Sequence, residues 1–592
     1  MKNKRQFFVG GSSSSRKGIE PQSLVGAIHE LPLQNDNHHV VQRTRKRGSK
    51  FLLCLTAGAL YLLFSSVALA NNLNISNVTI ASQDTSANTV TLQFDISWDN
   101  SWYDSINKDA AWVFIKYTTS NSDTWHHALL KTSGTNPSGF STGSGTAIEI
   151  VVSQDKRGAF IQRSSQGSGT LSTTSVQFVW DYGVDGVADS AANSNGLRIK
   201  AIGIEMTYIP EGGYYLGDGS SGTLGEFEWE ASRPGAVDSE TDLMTFASGE
   251  TDDDQWYYNT DSSASSDDVA SGTLFTVSSS FPKGYAAFYL MKYEITEGEY
   301  VNFLNTLSRL QQNKRVESDV SGDSPVGNKT YVLANASSAA SANRNTVQCP
   351  GSGNGTTNPI FFTTSRSDRA CSYLSWQDLA AYLDWAALRP FTEMEFEKAC
   401  RGPIYPVDGE YAWGTTSITG AAAGGISLNP ETGAETISTS GANAVYNNVT
   451  FSSGDSGTGP LRVGILATSA TTETRLTTGA GYYGNMDLSG SLWERPVTVG
   501  NASGRGFSGS HGDGALTTLT SYEGNADNPD WPLIDATDTA RGITSSTGSG
   551  FRGGSWNNTS AYLVVSDRYY AGDANDTRAS THGGRGARTA SA

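Results

Sequence analysis

The chain has 592 residues, enough for two to four domains and a large core. Only 17% are charged and glycine supplies 65, which suits a β- and loop-rich exported protein better than a helical cytosolic one, while the 10% aromatic content excludes wholesale disorder. Residues 1–70 hold ten Lys or Arg against three Asp or Glu, leaving 31 against 56, so the remainder carries about −25 and is a poor nonspecific partner for nucleic acid.

Residues 1–50 form a basic extension, and 1–42 show neither helical nor strand periodicity. The run "RTRKRGSKFLLCLTAGALYLLFSSVALA" joins a basic region to an apolar stretch and ends on Ala68-Leu69-Ala70, the small-x-small pattern of a signal-peptidase site. Its unbroken apolar part, Phe51 to Phe64, is shorter than the ~20 residues of a spanning helix. Segment 51–70 is therefore read as a signal peptide, and the protein as secreted or held at the cell surface. Cys54 follows Leu53 rather than a small residue and lies too early for a lipidation site. Cleavage leaves Cys349, Cys371 and Cys400, which allow one disulfide and one free thiol, with the pair open, and lack zinc-site spacing.

From 71 to 205 the pattern is strand after strand. Alternation at Val90, Leu92, Phe94 and Ile96, with turn clusters between such runs, indicates an all-β sandwich. Trp98, Trp102, Trp112, Trp125 and Trp180 suit core packing better than a carbohydrate platform. At Met206 the texture changes, and a second domain is expected over 206–592. The acidic run "SGETDDDQWYYNTDSSASSDDVASG" reads as a solvated loop, without the spacing of an EF-hand. "TEGEYVNFLNTLSRLQQ" predicts a helix capped by Thr296 and Glu299, with Tyr300, Phe303, Leu304 and Leu307 on one face. "SWQDLAAYLDWAALRPFTEMEFEKACRG" predicts a helix opening at Ser375 with Asp378, a break at Pro390, and a restart at Thr392 with Glu395. Segments at about 311–370 and 415–480 are rich in Gly, Ser, Thr and Asn and read as loop insertions.

"MTYIPEGGYYLGDG", "FYLMKYEITEGEYVNFLN", "LSWQDLAAYLDWAALRPFTEMEFEKACRG", "YAWG", "GNMDLSGSLWER" and "GFRGGSW", in that order, resemble the sulfatase-modifying-factor family of formylglycine-generating enzymes. The resemblance implies a C-type-lectin-like fold for the C-terminal domain, so the class expected is α+β behind an all-β sandwich. Enzymes of the family draw on cysteines downstream of the GGSW-like motif for copper and oxygen chemistry; here none follows Cys400. A second branch resembles iron-dependent sulfoxide synthases, but beyond the leader only His126, His127, His511 and His582 are available, and the adjacent pair would point to opposite faces of a strand. Near His511 and His582 there is no nucleophile elbow, and "GNASGRGFSGSHGDG" lacks the strand and helix of a phosphate loop. An enzyme is therefore not expected, and no cofactor is required, although structural calcium is compatible with carboxylates near Asn485 and Asp487.

The closing stretch "GFRGGSWNNTSAYLVVSDRYYAGDANDTRASTHGGRGAR" also resembles the variable region of proteins diversified by retroelements. The resemblance implies adenine-directed mutation of Asn-type codons, which cannot produce Lys, Glu, Gln, Met or Trp, and none of these occurs in the 26 residues 557–582. Gly553, Gly554, Trp556, Arg568, Arg585 and Arg588 are expected to fix the backbone by tight turns, an aromatic anchor and multi-donor guanidinium contacts. Asn558, Thr559, Ala561, Tyr562, Tyr569, Tyr570, Asp573, Asn575, Asp576, Ser580 and His582 are the candidate ligand contacts, a tyrosine and small-polar mixture like that of antibody paratopes. The function expected is a display protein that binds a protein or glycan on another cell or surface. The alternatives are an oxygen- or metal-dependent enzyme and a fixed-specificity envelope protein.

Overall fold

The computed structural model describes residues 72–119, 124–192, 196–219, 225–230, 233–247, 254–258, 272–322, 331–334, 341–350, 355–421, 426–428, 435–452, 457–469 and 474–590. The basic extension, the segment read as a signal peptide and most of the acidic stretch 248–272 lie outside these residues. The expected alternation becomes β1 (Asn74–Asp84), β2 (Thr89–Tyr103), β3 (Asp109–Thr118), β4 (Ile148–Val152), β5 (Ala159–Arg163), β6 (Gly167–Asp181) and β7 (Arg198–Ile209). Two short strands far along the chain, β8 (Phe288–Met291) and β9 (Ala587–Thr589), complete the main sheets.

One sheet runs β1-β2-β6 and ends on Ser144–Gly145; the other runs β9-β8-β7-β3-β5-β4 and ends on Gly134–Thr135. Their facing sides bury Leu92, Phe94, Trp98, Phe178 and Trp180 against Val113, Ile115, Ile150 and Ile161. The sandwich is thus present, and Trp98, Trp112 and Trp180 are enclosed in cores. Trp102 and Trp125 are half-buried, with Lys292 and Lys200 over their rings at 4.5 and 4.7 Å.

The expected boundary at 205/206 falls inside β7. Its Arg198–Thr207 pairs with β3 and its Met206–Ile209 with β8, so the second sheet continues into the C-terminal half. β3 explains how one strand serves both sides: Ala111, Val113 and Ile115 face the sandwich core, whereas Ala110, Trp112 and Phe114 face the larger C-terminal core. Trp112 Nε1 donates to Ala386 O at 2.9 Å, Lys116 Nζ to Gly514 O at 2.8 Å, and Asn107 Nδ2 to Tyr483 O at 2.7 Å. The described residues all belong to one compact unit.

The helices begin where their capping boxes predict. α1 (Glu297–Leu304) is capped by Thr296 and Glu299, α3 (Trp376–Trp385) by Ser375 and Asp378, and α4 (Glu393–Arg401) by Thr392 and Glu395, with α2 (Arg309–Lys314) between the first two. The single helix expected from Thr296 is split at Asn305, whose side-chain amide bonds Phe362 through both N–H and C=O; Ser308 and Gln311 then cap α2. Tyr300, Phe303, Leu304 and Leu307 are buried as expected.

Two expectations about loops need correction. Within the insertions the described residues pack into a scaffold: Val445, Phe451, Leu461, Val463 and Ile465 form a small core with Leu492 and Trp556, and Arg366 joins the two insertions through paired bonds to Glu435 at 2.7 and 3.1 Å. In the acidic stretch Trp256–Tyr258 is a strand of a four-stranded sheet with Phe227–Trp229, Met244–Ala247 and Phe275–Val277. The sequence allowed one disulfide among Cys349, Cys371 and Cys400; all three are buried as free thiols.

Candidate ligand-binding site

Helix α4 is the mounting for the closing segment. Spacing of i, i+4 puts Glu393, Glu397 and Arg401 on one buried face. Arg552 donates to Glu393 at 3.0 Å and Glu397 at 2.6 Å, and also to Val565 O at 2.6 Å. Arg568 donates to both oxygens of Glu393, at 2.6 and 3.0 Å, and lies 4.2 and 4.7 Å from the rings of Phe227 and Tyr258. Arg401 bonds Glu397, Glu410 and the Ser566 hydroxyl. Burial alone would raise the Glu393 carboxyl; Arg568 and Arg552 hold it below its ordinary value, so the pair stays charged.

The other frame residues act as their types suggest. Gly553 and Gly554 turn the chain at φ +83° and +70°, where a Cβ would come within 2.5 Å of Leu488 O and of the Leu563 side chain respectively. Trp556 Nε1 donates to Ser580 O at 3.0 Å, tying the start of the segment to its end. Arg585 holds Glu494 at 2.5 Å, and Arg588 lies over Trp112 at 4.1 Å while bonding both oxygens of Asp155 at 2.5 Å. Within the segment itself Val565, Ser566, Asp567 and Arg568, the "VSDR" run, are buried.

The candidate contacts divide by exposure. Thr559, Ala561, Asn575 and Asp576 are exposed, and Asn558, Tyr562, Tyr569, Tyr570, Asp573 and Ser580 are half-buried. Some are partly engaged locally: Asn558 Oδ1 accepts from Ser555 N and Oγ, and Asn575 Oδ1 from Thr577 N and Oγ1. His582 must be removed from the set. It is 7% exposed, packs on Phe551 with ring centroids 4.6 Å apart, and bonds Thr577 O through Nδ1 at 3.0 Å. Burial, with Arg495 nearby, pushes its imidazole down to about 3.

Beneath these residues lies an aromatic cluster that sequence reasoning assembled only in part. Tyr569 meets Tyr570 edge-on at 4.5 Å, Tyr562 stacks near Tyr570 at 5.8 Å, and Trp493 meets Tyr570 at 5.5 Å and Tyr562 at 6.3 Å. Trp493 lies in "GNMDLSGSLWER", and nothing in its spacing places it against tyrosines 69 to 77 positions further on. Arg495, two residues on, is fully buried 4.3 Å from the Phe551 ring and donates to Asn575 O at 2.7 Å. Its Nε and Nη1 have no partner, and burial pushes the guanidinium down to about 9 while Asp573 and Asp576 favour its charge. Beside the segment a cleft of about 670 Å³ is lined by Arg315, Glu317, Tyr522, Asn525, Asp576 and Arg578, among others. Arg578 is held in it by Asp378 at 2.6 and 2.8 Å.

Other chemistry-bearing groups do not converge on this surface. Near Asn485 and Asp487, Arg585 pairs with Glu494 and donates to Met291 O, Lys292 O and Met486 O. Among the described residues, carboxylates of Asp384, Asp513 and Asp527 gather within 4.8 Å, a group not foreseen from sequence. Asp384 there accepts the backbone N–H of both Asp513 and Asp527, at 2.9 and 3.2 Å. His126 is exposed and His127 buried, on opposite faces of their short strand. The thiols of Cys349, Cys371 and Cys400 are all pushed up by burial, Cys349 to about 11.

The fold and site together define a β-rich, helix-poor domain whose irregular loops are tied down by buried arginine–carboxylate pairs. The family model described as the sulfatase-modifying factor enzyme 1-like domain matches residues 279–590, and the chain belongs to this family. No curated protein matches it. Among the described residues no helix is long and apolar enough to cross a membrane.

Proposed function

We propose that this is an exported ligand-binding protein in which a C-type-lectin-like domain, built on the family's scaffold, displays residues 557–582 to a protein or glycan ligand. The observation that carries the reading is the division within that segment. Arg568 and the "VSDR" backbone are locked to α4, while Thr559, Ala561, Asn575 and Asp576 reach solvent and the three tyrosines stand half-exposed beside them. A locked frame with polar and aromatic side chains outside it tolerates substitution, as a retroelement-diversified surface must. The absence of any cysteine after Cys400, and the burial of the three described thiols, favour binding over the family's oxidase chemistry. Residues 71–205 then serve as a spacer or attachment module sharing a sheet with the displaying domain, and no cofactor is required.

Sequencing the 3′ end of the gene across a population, with its flanking DNA, tests diversification. Substitutions confined to template-adenine positions within 557–582, with a near-copy repeat and a reverse transcriptase nearby, are the expected result. A uniform segment without a template would leave a binder of fixed specificity. Exchanging Thr559, Ala561, Tyr569 and Asn575 together is expected to change ligand choice with little change in melting temperature.

A further inference from the structure

Charge in segment 557–582 is shared unequally between its interior and its surface. Arg568 and Arg578 are each held by two hydrogen bonds to a carboxylate of the surrounding scaffold, Glu393 and Asp378; Arg568 is buried, and Arg578, half-buried in the cleft, is matched by Glu317 as well, at 3.2 Å. His582 is buried and neutral near pH 7, since burial pushes it down to about 3. Arg495 is enclosed under Phe551 and does not reach solvent. Toward solvent the segment offers Asp576, exposed, and Asp573, half-exposed.

Beside Asp573 are the half-exposed rings of Tyr562, Tyr569 and Tyr570, and Asp573 N donates to Tyr570 O at 3.1 Å. The face of an aromatic ring attracts cations through its quadrupole, and carboxylates attract them directly, so both kinds of group favour the same charge. An acidic glycan or acidic peptide would meet repulsion from both. The excess of acidic residues beyond position 70, 56 against 31, adds long-range steering of the same sign.

We infer that the ligand is a protein surface bearing arginine or lysine, whose cationic side chain stacks on the tyrosines and is held by Asp573 and Asp576. The inference rests on the binding reading above. Its test is calorimetry of the full-length protein with a capped tri-arginine peptide and a capped tri-glutamate peptide at low and high salt. Tri-arginine is expected to bind, to weaken severalfold as salt rises, and to lose about three- to tenfold in affinity with Asp573→Asn plus Asp576→Asn or with Tyr569→Ala. Tri-glutamate binding as tightly, or indifference of tri-arginine to those exposed carboxylates, would overturn the inference. A display screen of protein fragments against wild type and Tyr569→Ala separates it from the broader reading. Tyr569-dependent targets with acidic contact sites would sink the cationic-ligand inference alone, whereas targets independent of the whole segment would sink both.

Discussion

Arg568 is defined from three sides: Glu393 at its edge, Phe227 and Tyr258 near its faces, and Gly225 O accepting from Nη1 at 2.8 Å. Removing Arg568 leaves the buried Glu393 with Arg552 as its one remaining arginine, so Arg568→Ala should cost about 3 kcal/mol in a denaturant melt. Ala561→Asp, at an exposed position in the same segment, should stay within about 0.5 kcal/mol. A second residue makes stability depend on pH. Burial, and then the neighbouring Asp218, push the Glu226 carboxyl up to about 9. Its unfolded value is near 4.3, so the folded state holds a proton that the unfolded chain releases; the stabilisation is complete at acid pH and is lost as pH rises toward about 9. Glu226→Gln keeps a neutral side chain throughout, and its melting temperature should fall less than that of wild type between about pH 6 and 9. The frame arginines were legible from type and position, because a guanidinium among glycines and small residues has few uses but multi-donor bonding. His582 was not, because polar neighbours in sequence say nothing of the Phe551 ring that covers it in space.

At the scale of elements, caps and turns carry local information and are tested locally. Thr392 closes the capping box of α4 and also donates through Oγ1 to Pro282 O at 2.8 Å, so Thr392→Ala should cost about 1–2 kcal/mol, read from thermal melts. Gly553→Ala places a Cβ within 2.5 Å of Leu488 O at φ +83°, and should destabilise by more than about 1 kcal/mol. The break in α1 and the packing of the insertions escaped the sequence for a shared reason. Asn305 is turned by Phe362, and Trp556 is covered by Val445 and Phe451, contacts whose partners lie far along the chain.

At the scale of the molecule, the larger sheet joins parts of the chain that composition separates. β3 is buried throughout and feeds two cores, and Arg588 near the C-terminus pairs with Asp155 of the sandwich. A chain beginning at Met206 would lack β3 and expose the edge of the remaining β7 residues, with the apolar surface that Trp112 and Phe114 cover. It is expected to aggregate or to melt without cooperativity, as followed by light scattering and circular dichroism. A soluble fragment with a sharp transition would show that the shared sheet is dispensable.

The sequence by itself determined the strand alternation of the sandwich, the starts of α1, α3 and α4, the turn glycines and the family, because each is written in spacings of a few residues or in ordered motifs. Tertiary structure decided that β7 has no boundary in it, that Trp493 packs on Tyr562 and Tyr570 and Arg495 on Phe551, and that His582 is core. Burial and pairing are properties of partners brought together from distant positions, and local patterns of polarity do not carry them.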